Sequence, residues 1–250
     1  MNARPVAAAL VAVMLTHPAA GGTTDEAIPD ATYVAHGRAF RGYVRRVSGR
    51  SVDGKGFEAS GVQIDAGWVL TAAHVVDQAA SVEVEGVAVS VVFVHPDWRD
   101  EGLGRSDLAL LRCDVPAGYC PPIGDGTEAA GDVVSLAGYG MTGRLGTGVD
   151  LADDQLRAGT SRIDRVAEEW IVCPARSRSP LPWCSAPGDS GGPVFVGSGA
   201  KARLVGIISG TWRDRIEGAP PLASRDGEEQ VATRVAPCRA WIEAVRGMVR

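Results

Sequence analysis

Beyond its first fifteen residues the chain has no apolar run long enough to cross a bilayer as a helix, which excludes a body built of transmembrane helices. It has no long run of one charge sign. Lys plus Arg number 25 against 30 Asp plus Glu, for a net charge of -5, and this mixed surface excludes a binder of nucleic acid or another polyanion. No CxxC pair occurs and no histidine lies close to a cysteine, so a zinc site is set aside. The acidic stretch DLADD at 150–154 lacks the spacing of a calcium loop and reads as a solvated turn. Strands do not alternate with long amphipathic helices, which excludes a parallel α/β sheet. There is no internal repeat, low-complexity block or interdomain linker. Neither a metal nor a cofactor is called for.

What is present is a chain of short apolar runs cut by turns. Gly 32 and Pro 15 in 250 residues suit an all-β body, and 45% hydrophobic residues suffice for one large or two small cores. The start, MNARPVAAALVAVMLTHPAAGG, has a basic Arg4, an apolar run over residues 6–15 and small residues at Ala19 and Ala20. It reads as a secretory signal peptide over residues 1–21, cut near residues 20–22. GTTDEAIPDATY follows, polar and irregular, with residues 22–27 read as a pro-segment or surface arm. Strand-like runs then recur in VQIDAGWVLTAAHVV, SVEVEGVAVSVVFVHP, SDLALLRCDV, DVVSLAGYG, RLVGIISGTW and QVATRV. The end differs: PCRAWIEAVRGMV places Trp241, Ile242, Val245 and Met248 at helical spacing after Pro237, predicting one C-terminal helix. Export makes Cys113, Cys120, Cys173, Cys184 and Cys238 candidates for disulfides, with at least one left over.

Three residue types point to nucleophilic chemistry. A serine hydroxyl needs a base to take its proton, and a histidine base needs an acid to hold its tautomer. Ser190 sits in GDSGG, where a tight turn could aim the N–H groups of Gly188 and Ser190 into one hollow for an oxyanion. The same glycines also make an ordinary hairpin turn. His74 ends GWVLTAAH, at the end of an apolar strand, as a base or as a satisfied core histidine. Asp107 opens the apolar strand of SDLALL, where burial is costly unless a partner such as a histidine N–H bonds it; alone it would read as a strand cap.

TAAH, DLAL and GDSGGP, in that order, resemble the signatures of the chymotrypsin-like (trypsin-fold, S1-type) serine proteases, in a form similar to secreted bacterial members. VHPDW, AGYG at 137–140, IISGT at 207–211 and QVATRV followed by a Trp-Ile helix agree, so the resemblance spans roughly residues 30–250. It implies two six-stranded antiparallel β-barrels with a C-terminal helix, in one protease domain over 22–250. It implies His74, Asp107 and Ser190 as the triad, Gly188 and Ser190 as oxyanion donors, and Ser209, Gly210 and Thr211 as a backbone edge for a polypeptide substrate. The protein would be a secreted (extracellular or periplasmic) monomer without a membrane after signal removal.

The departures from that family carry information. Val75 and Ala186 stand where animal members carry cysteines, so two usual disulfides are absent; the resemblance leaves Cys173–Cys184 and Cys120–Cys238 as guessed pairings, with Cys113 over. The position that selects Arg or Lys in trypsin-like members holds Cys184, and Thr211 and Gln230 stand where small glycines keep the pocket open. Small or uncharged side chains before the scissile bond are expected. No IVGG terminus exists to pair with Asp189 after an activating cut, and Ile28 is offered in its place. The competing reading is a protease-fold binding or regulatory protein without turnover. An esterase of the α/β-hydrolase type is excluded by the order His, Asp, Ser.

Overall fold

The computed structural model describes residues 21–100, 105–197, 201–213 and 223–248. Nearly all of the leader call, residues 1–20, lies outside them. The chain opens with strand β1 (Gly22–Thr24) and helix α1 (Asp30–Gly37). There follow β2 (Val44–Ser51), β3 (Gly56–Asp65), β4 (Trp68–Thr71), the single-turn helix α2 (Ala73–Val76), β5 (Ala79–Val84), β6 (Val87–Ala88), β7 (Val91–Val94) and β8 (Ala109–Arg112). Next come β9 (Val133–Gly138), β10 (Thr142–Arg144), β11 (Gly148–Leu151), β12 (Arg157–Arg162), β13 (Arg165–Val166) and β14 (Trp170–Pro174). The last are β15 (Trp183–Cys184), β16 (Pro193–Val196), β17 (Arg203–Trp212), β18 (Glu229–Arg234) and helix α3 (Arg239–Met248).

Two antiparallel sheets of seven strands each make the body, in the orders β6-β5-β2-β3-β4-β8-β7 and β12-β9-β16-β17-β18-β14-β13. The outermost strands of each sheet are consecutive in the chain. In the first, the run 87–94 folds over its corner: Val89 N–H bonds the Val82 carbonyl on the β5 side, and Ser90 N–H bonds the Arg112 carbonyl on the β8 side. In the second, Ile163 N–H bonds Asp132 and Asp164 N–H bonds Val172, carrying β12 across into β13. Each run thus serves both edges and curls its sheet shut. Counting each broken run once gives six strands per barrel, as the family resemblance implies. This closure shields the outermost strands, whose open edges would invite aggregation.

Each barrel buries its own apolar set. Val47, Leu70, Val84 and Leu110 fill the first; Val134, Ile171, Trp183 and Ile208 fill the second. Phe195 of β16 crosses between them, stacking on Phe40 at 5.8 Å and meeting Tyr43 edge-on at 5.6 Å. Aromatic pairs in this geometry favour the contact beyond area alone, by about 1 kcal/mol each. The C-terminal helix forms where the 3.6-residue pattern placed it, burying Ile242 and Val245. Met248, the last apolar residue of that pattern, is exposed because the helix ends there.

The N-terminal stretch departs from its sequence reading. Residues 22–24 are a buried strand at the heart of a small third sheet, in the order β11-β10-β1-β15. The expected irregular run that follows holds α1, which starts after Pro29 with Asp30 in its first turn. Tyr33 of α1 is fully buried; its hydroxyl accepts from Asp25 N–H and donates to the Pro182 carbonyl. Polar residues hid this element because its burial comes from strand pairing, not from apolar periodicity. All five cysteines are free thiols. The guessed Cys173–Cys184 and Cys120–Cys238 bonds are not formed: Cys173 packs in the second core, Cys184 beside Leu145 and Ala175, Cys238 in the first core, and Cys120 is only partly covered.

Candidate active site

His74 owes its place to a strand that stops at small residues. All four residues of β4 are buried, and Ala72 and Ala73, both fully buried, let the chain turn tightly into α2. His74 is the second residue of that turn. Asp107, fully buried just ahead of β8, bonds it twice: Oδ1 accepts the His74 backbone N–H at 2.9 Å, and Oδ2 lies 2.7 Å from Nδ1. The carboxylate therefore fixes the proton on Nδ1 and leaves the Nε2 lone pair free. Burial pushes the imidazole toward neutrality, but the Asp107 charge and hydrogen bond outweigh it and raise the His74 pKa above 6.5. Burial opposes ionisation of Asp107 as well, yet His74 and the Ser209 hydroxyl hold its pKa below the usual carboxylate value.

Ser209 reaches this pair through a bulge. In the β17–β18 ladder Ile208 faces Ala232 and Gly210 faces Val231, so Ser209 is the extra residue. Its hydroxyl also meets Thr233 Oγ1 at 3.0 Å, and its carbonyl accepts from Ser190 Oγ at 3.5 Å, the outer limit of a hydrogen bond. Ser190 makes no hydrogen bond to His74 in this structure; the two are brought to facing elements by the packing of Gly191. That glycine has a φ of +84°, and a Cβ there would stand 2.1 Å from both the Ser60 carbonyl and Thr71 Oγ1. Only a hydrogen lets the serine turn lie this close to the end of β4.

The peptides around Ser190 are pinned by their carbonyls. Pro187 C=O accepts from Met141 N–H at 2.7 Å, Asp189 C=O from Gly192 at 2.9 Å, and Ser190 C=O from Ser60 N–H at 2.9 Å. A trans peptide sets its N–H opposite its C=O. The Gly188 and Ser190 N–H groups are thereby turned away from the protein, and among the described residues nothing accepts from either. Two N–H groups without an acceptor beside a serine suit a developing oxyanion.

Asp189 is fully buried behind this turn. Its carboxylate accepts from Ala186 N–H at 2.8 Å and from Gly140 N–H at 2.7 Å, and the Gly22 N–H also favours its ionised form. Burial outweighs these bonds and raises its pKa to about 7. Ile28, the expected partner, is elsewhere: its N–H bonds Asp25 and its side chain packs on the second core. Sequence reading missed Gly22, whose one signal was its place just after the small residues of the leader.

In the region expected to set specificity, Cys184 is fully buried and its thiol is pushed well above 9 by burial, so it carries no charge. Gln230 is buried too. Its Oε1 accepts from Ser185 N–H at 3.1 Å and its Nε2 donates to the Trp183 carbonyl at 2.9 Å, locking the side chain across the segment before Ser190. Glu228, buried beneath Ala223 and paired with Arg213 and Arg225, is a second carboxylate that sequence reading did not single out. Thr211 is only partly covered, and β16 pairs with β17 no further than Ile207. Residues 210–212 thus present an edge with no strand partner on that side among the described residues. Those residues contain no cluster of ligands fit for a metal ion.

Residues 36–242 match the protein-family model described as Trypsin. A solved structure entitled HL collagenase is similar to the fold, with a TM-score of 0.62 and 21% identity over 82% of this chain and 94% of that one. With the family match covering most of the sequence, the chain belongs to the trypsin family and is a serine-type endopeptidase.

Proposed function

We propose that Ser190, His74 and Asp107 are its catalytic triad, and that it acts outside the cytoplasm on polypeptides with small or uncharged side chains before the scissile bond. The single observation that carries the triad is the commitment of both Asp107 oxygens to His74. Ser190 Oγ attacks the scissile carbonyl carbon while His74 Nε2 takes its proton; Gly188 and Ser190 N–H groups bind the oxyanion. The C–N bond then breaks as His74 returns the proton to the leaving amine, and water repeats the sequence to free the acid. The missing Ser190–His74 bond suits a resting site, since such bonds tighten once substrate is bound. Substrate adds a strand along Ser209, Gly210 and Thr211. Gln230 in the pocket and an uncharged Cys184 support the preference for small, uncharged residues.

Export follows from the leader. Its removal after residue 21 would make Gly22 the first residue and place an ammonium where its amide N–H now favours the Asp189 carboxylate. The test of the triad is fluorophosphonate labelling of the mature protein beside Ser190→Ala. Label on the wild type and none on Ser190→Ala is expected; equal labelling of both would remove Ser190 from the role.

A further inference from the structure

We propose that Ser60 is a positioning residue for the oxyanion site, acting through its side-chain hydroxyl; the proposal rests on Ser190 being the nucleophile. Ser60 belongs to β3 of the first barrel and is fully buried. Its hydroxyl joins two backbone groups of the second barrel in one chain. Tyr139 N–H donates to Ser60 Oγ at 2.9 Å, and Ser60 Oγ donates to the Gly188 carbonyl at 3.0 Å. Its main chain is equally committed: the N–H holds Ser190 C=O at 2.9 Å, and the C=O accepts from Thr71 Oγ1 at 2.8 Å. One residue therefore anchors the carbonyls of both oxyanion donors.

The argument is one of aim. Gly188 has a φ of +94° and no side chain to restrain it, so its orientation depends on what holds its two peptides. Met141 N–H holds the peptide before it, and Asp189 N–H reaches back to Ala186. The carbonyl of the Gly188–Asp189 peptide has the Ser60 hydroxyl as its partner. Only a group that accepts and donates at once can close the Tyr139–Ser60–Gly188 chain, which a hydroxyl does and a methyl cannot. The second bond ties the oxyanion loop to the barrel that carries His74 and Asp107, so the hydroxyl sets the two halves of the site in register. Donors fixed before the reaction stabilise the transition state more than the bound substrate.

The experiment compares wild type, Ser60→Ala, Ser60→Thr and Ser190→Ala with a peptide substrate, a peptide boronic acid that mimics the tetrahedral state, and thermal unfolding. Losing a whole donor costs 10²–10³ in kcat, and loosening one is expected to cost Ser60→Ala about 10- to 100-fold, with KM within about 2-fold. Boronate affinity should fall by the same factor as kcat/KM, and Ser60→Thr, which keeps the hydroxyl, should recover most of both. Wild-type kcat in folded Ser60→Ala, or a loss confined to KM with boronate affinity unchanged, would overturn the proposal. Should Ser60→Ala fail to fold, Ser60→Cys, whose thiol bonds more weakly, decides it by the same comparison. Turnover retained in Ser190→Ala would instead defeat the underlying triad reading, whatever Ser60 does.

Discussion

The backbone N–H of Gly22 favours the ionised form of the buried carboxyl of Asp189, the residue immediately before Ser190. Trp183 enforces that approach. Gly22 has a φ of +66°, and a Cβ there would lie 2.0 Å from the indole, whose Nε1 donates to the Gly21 carbonyl at 3.1 Å. Gly22 and the turn that carries Ser190 are thus one packed unit.

In a chain that continues upstream of Gly22, Asp189 is bonded by the Ala186 and Gly140 N–H groups and favoured by the Gly22 N–H, yet burial raises its pKa to about 7. The folded pKa lies above the unfolded one, so this carboxyl favours the fold most below pH 4 and that advantage is lost as pH rises toward 7. An ammonium at Gly22 would favour the carboxylate and remove the loss. Melting temperature measured from pH 4 to 7 should therefore fall relative to a chain beginning at Gly22 when a tag precedes that residue. Parallel profiles for the two chains would disprove the pairing. N-terminal sequencing of secreted protein should read Gly-Thr-Thr.

The His74–Asp107 pair predicts the acid limb of the rate profile. The base must be unprotonated to accept from Ser190, and its pKa is raised above 6.5, so kcat/KM should reach half its maximum on the alkaline side of 6.5. Asp107→Asn removes the charge that raises it and leaves the burial that lowers it. The midpoint should move down, and kcat should drop by roughly 10³- to 10⁴-fold through loss of the tautomer. A midpoint that Asp107→Asn does not move would show that the pair does not set the base.

How much of this was legible in the sequence follows from where each partner lies. GDSGG and TAAH are local: their glycines and alanines announce tight turns, so His74, Gly188 and Ser190 stood out as candidates, each beside an ordinary structural reading that only the ordered resemblance outweighed. Asp107 alone read as a strand cap; the ordered resemblance paired it with His74, and the structure bonds the two. Gly22 and Ser60 were not. Gly22 follows the small residues of the leader and owes its burial to Trp183 and to pairing with Thr142, 120 positions away in the chain. Ser60 is one small residue in an apolar run, and its meaning comes from Gly188, 128 positions away. Ile28 was offered as the terminus for Asp189 on residue type; in the uncut chain its side chain packs on the second core.

Gln230 sets the last prediction. In the proposed specificity Gln230 narrows the substrate pocket, and its amide bridges Ser185 N–H and Trp183 C=O. Gln230→Gly should open that space at a cost in stability, because both backbone groups lose a partner, each worth about 1–3 kcal/mol if water does not reach it. Activity on substrates with Phe or Leu before the scissile bond should rise relative to Ala by about 10-fold or more, the scale that one or two extra methylenes of pocket contact can supply. Activity on Arg or Lys should stay low, because Cys184 brings no charge and Glu228 is already paired with Arg213 and Arg225. The kcat/KM ratios across Ala, Phe and Arg substrates check both halves. A wild type that already prefers Phe would show that Gln230 does not limit the pocket, and one that prefers Arg would place an unneutralised acid in it.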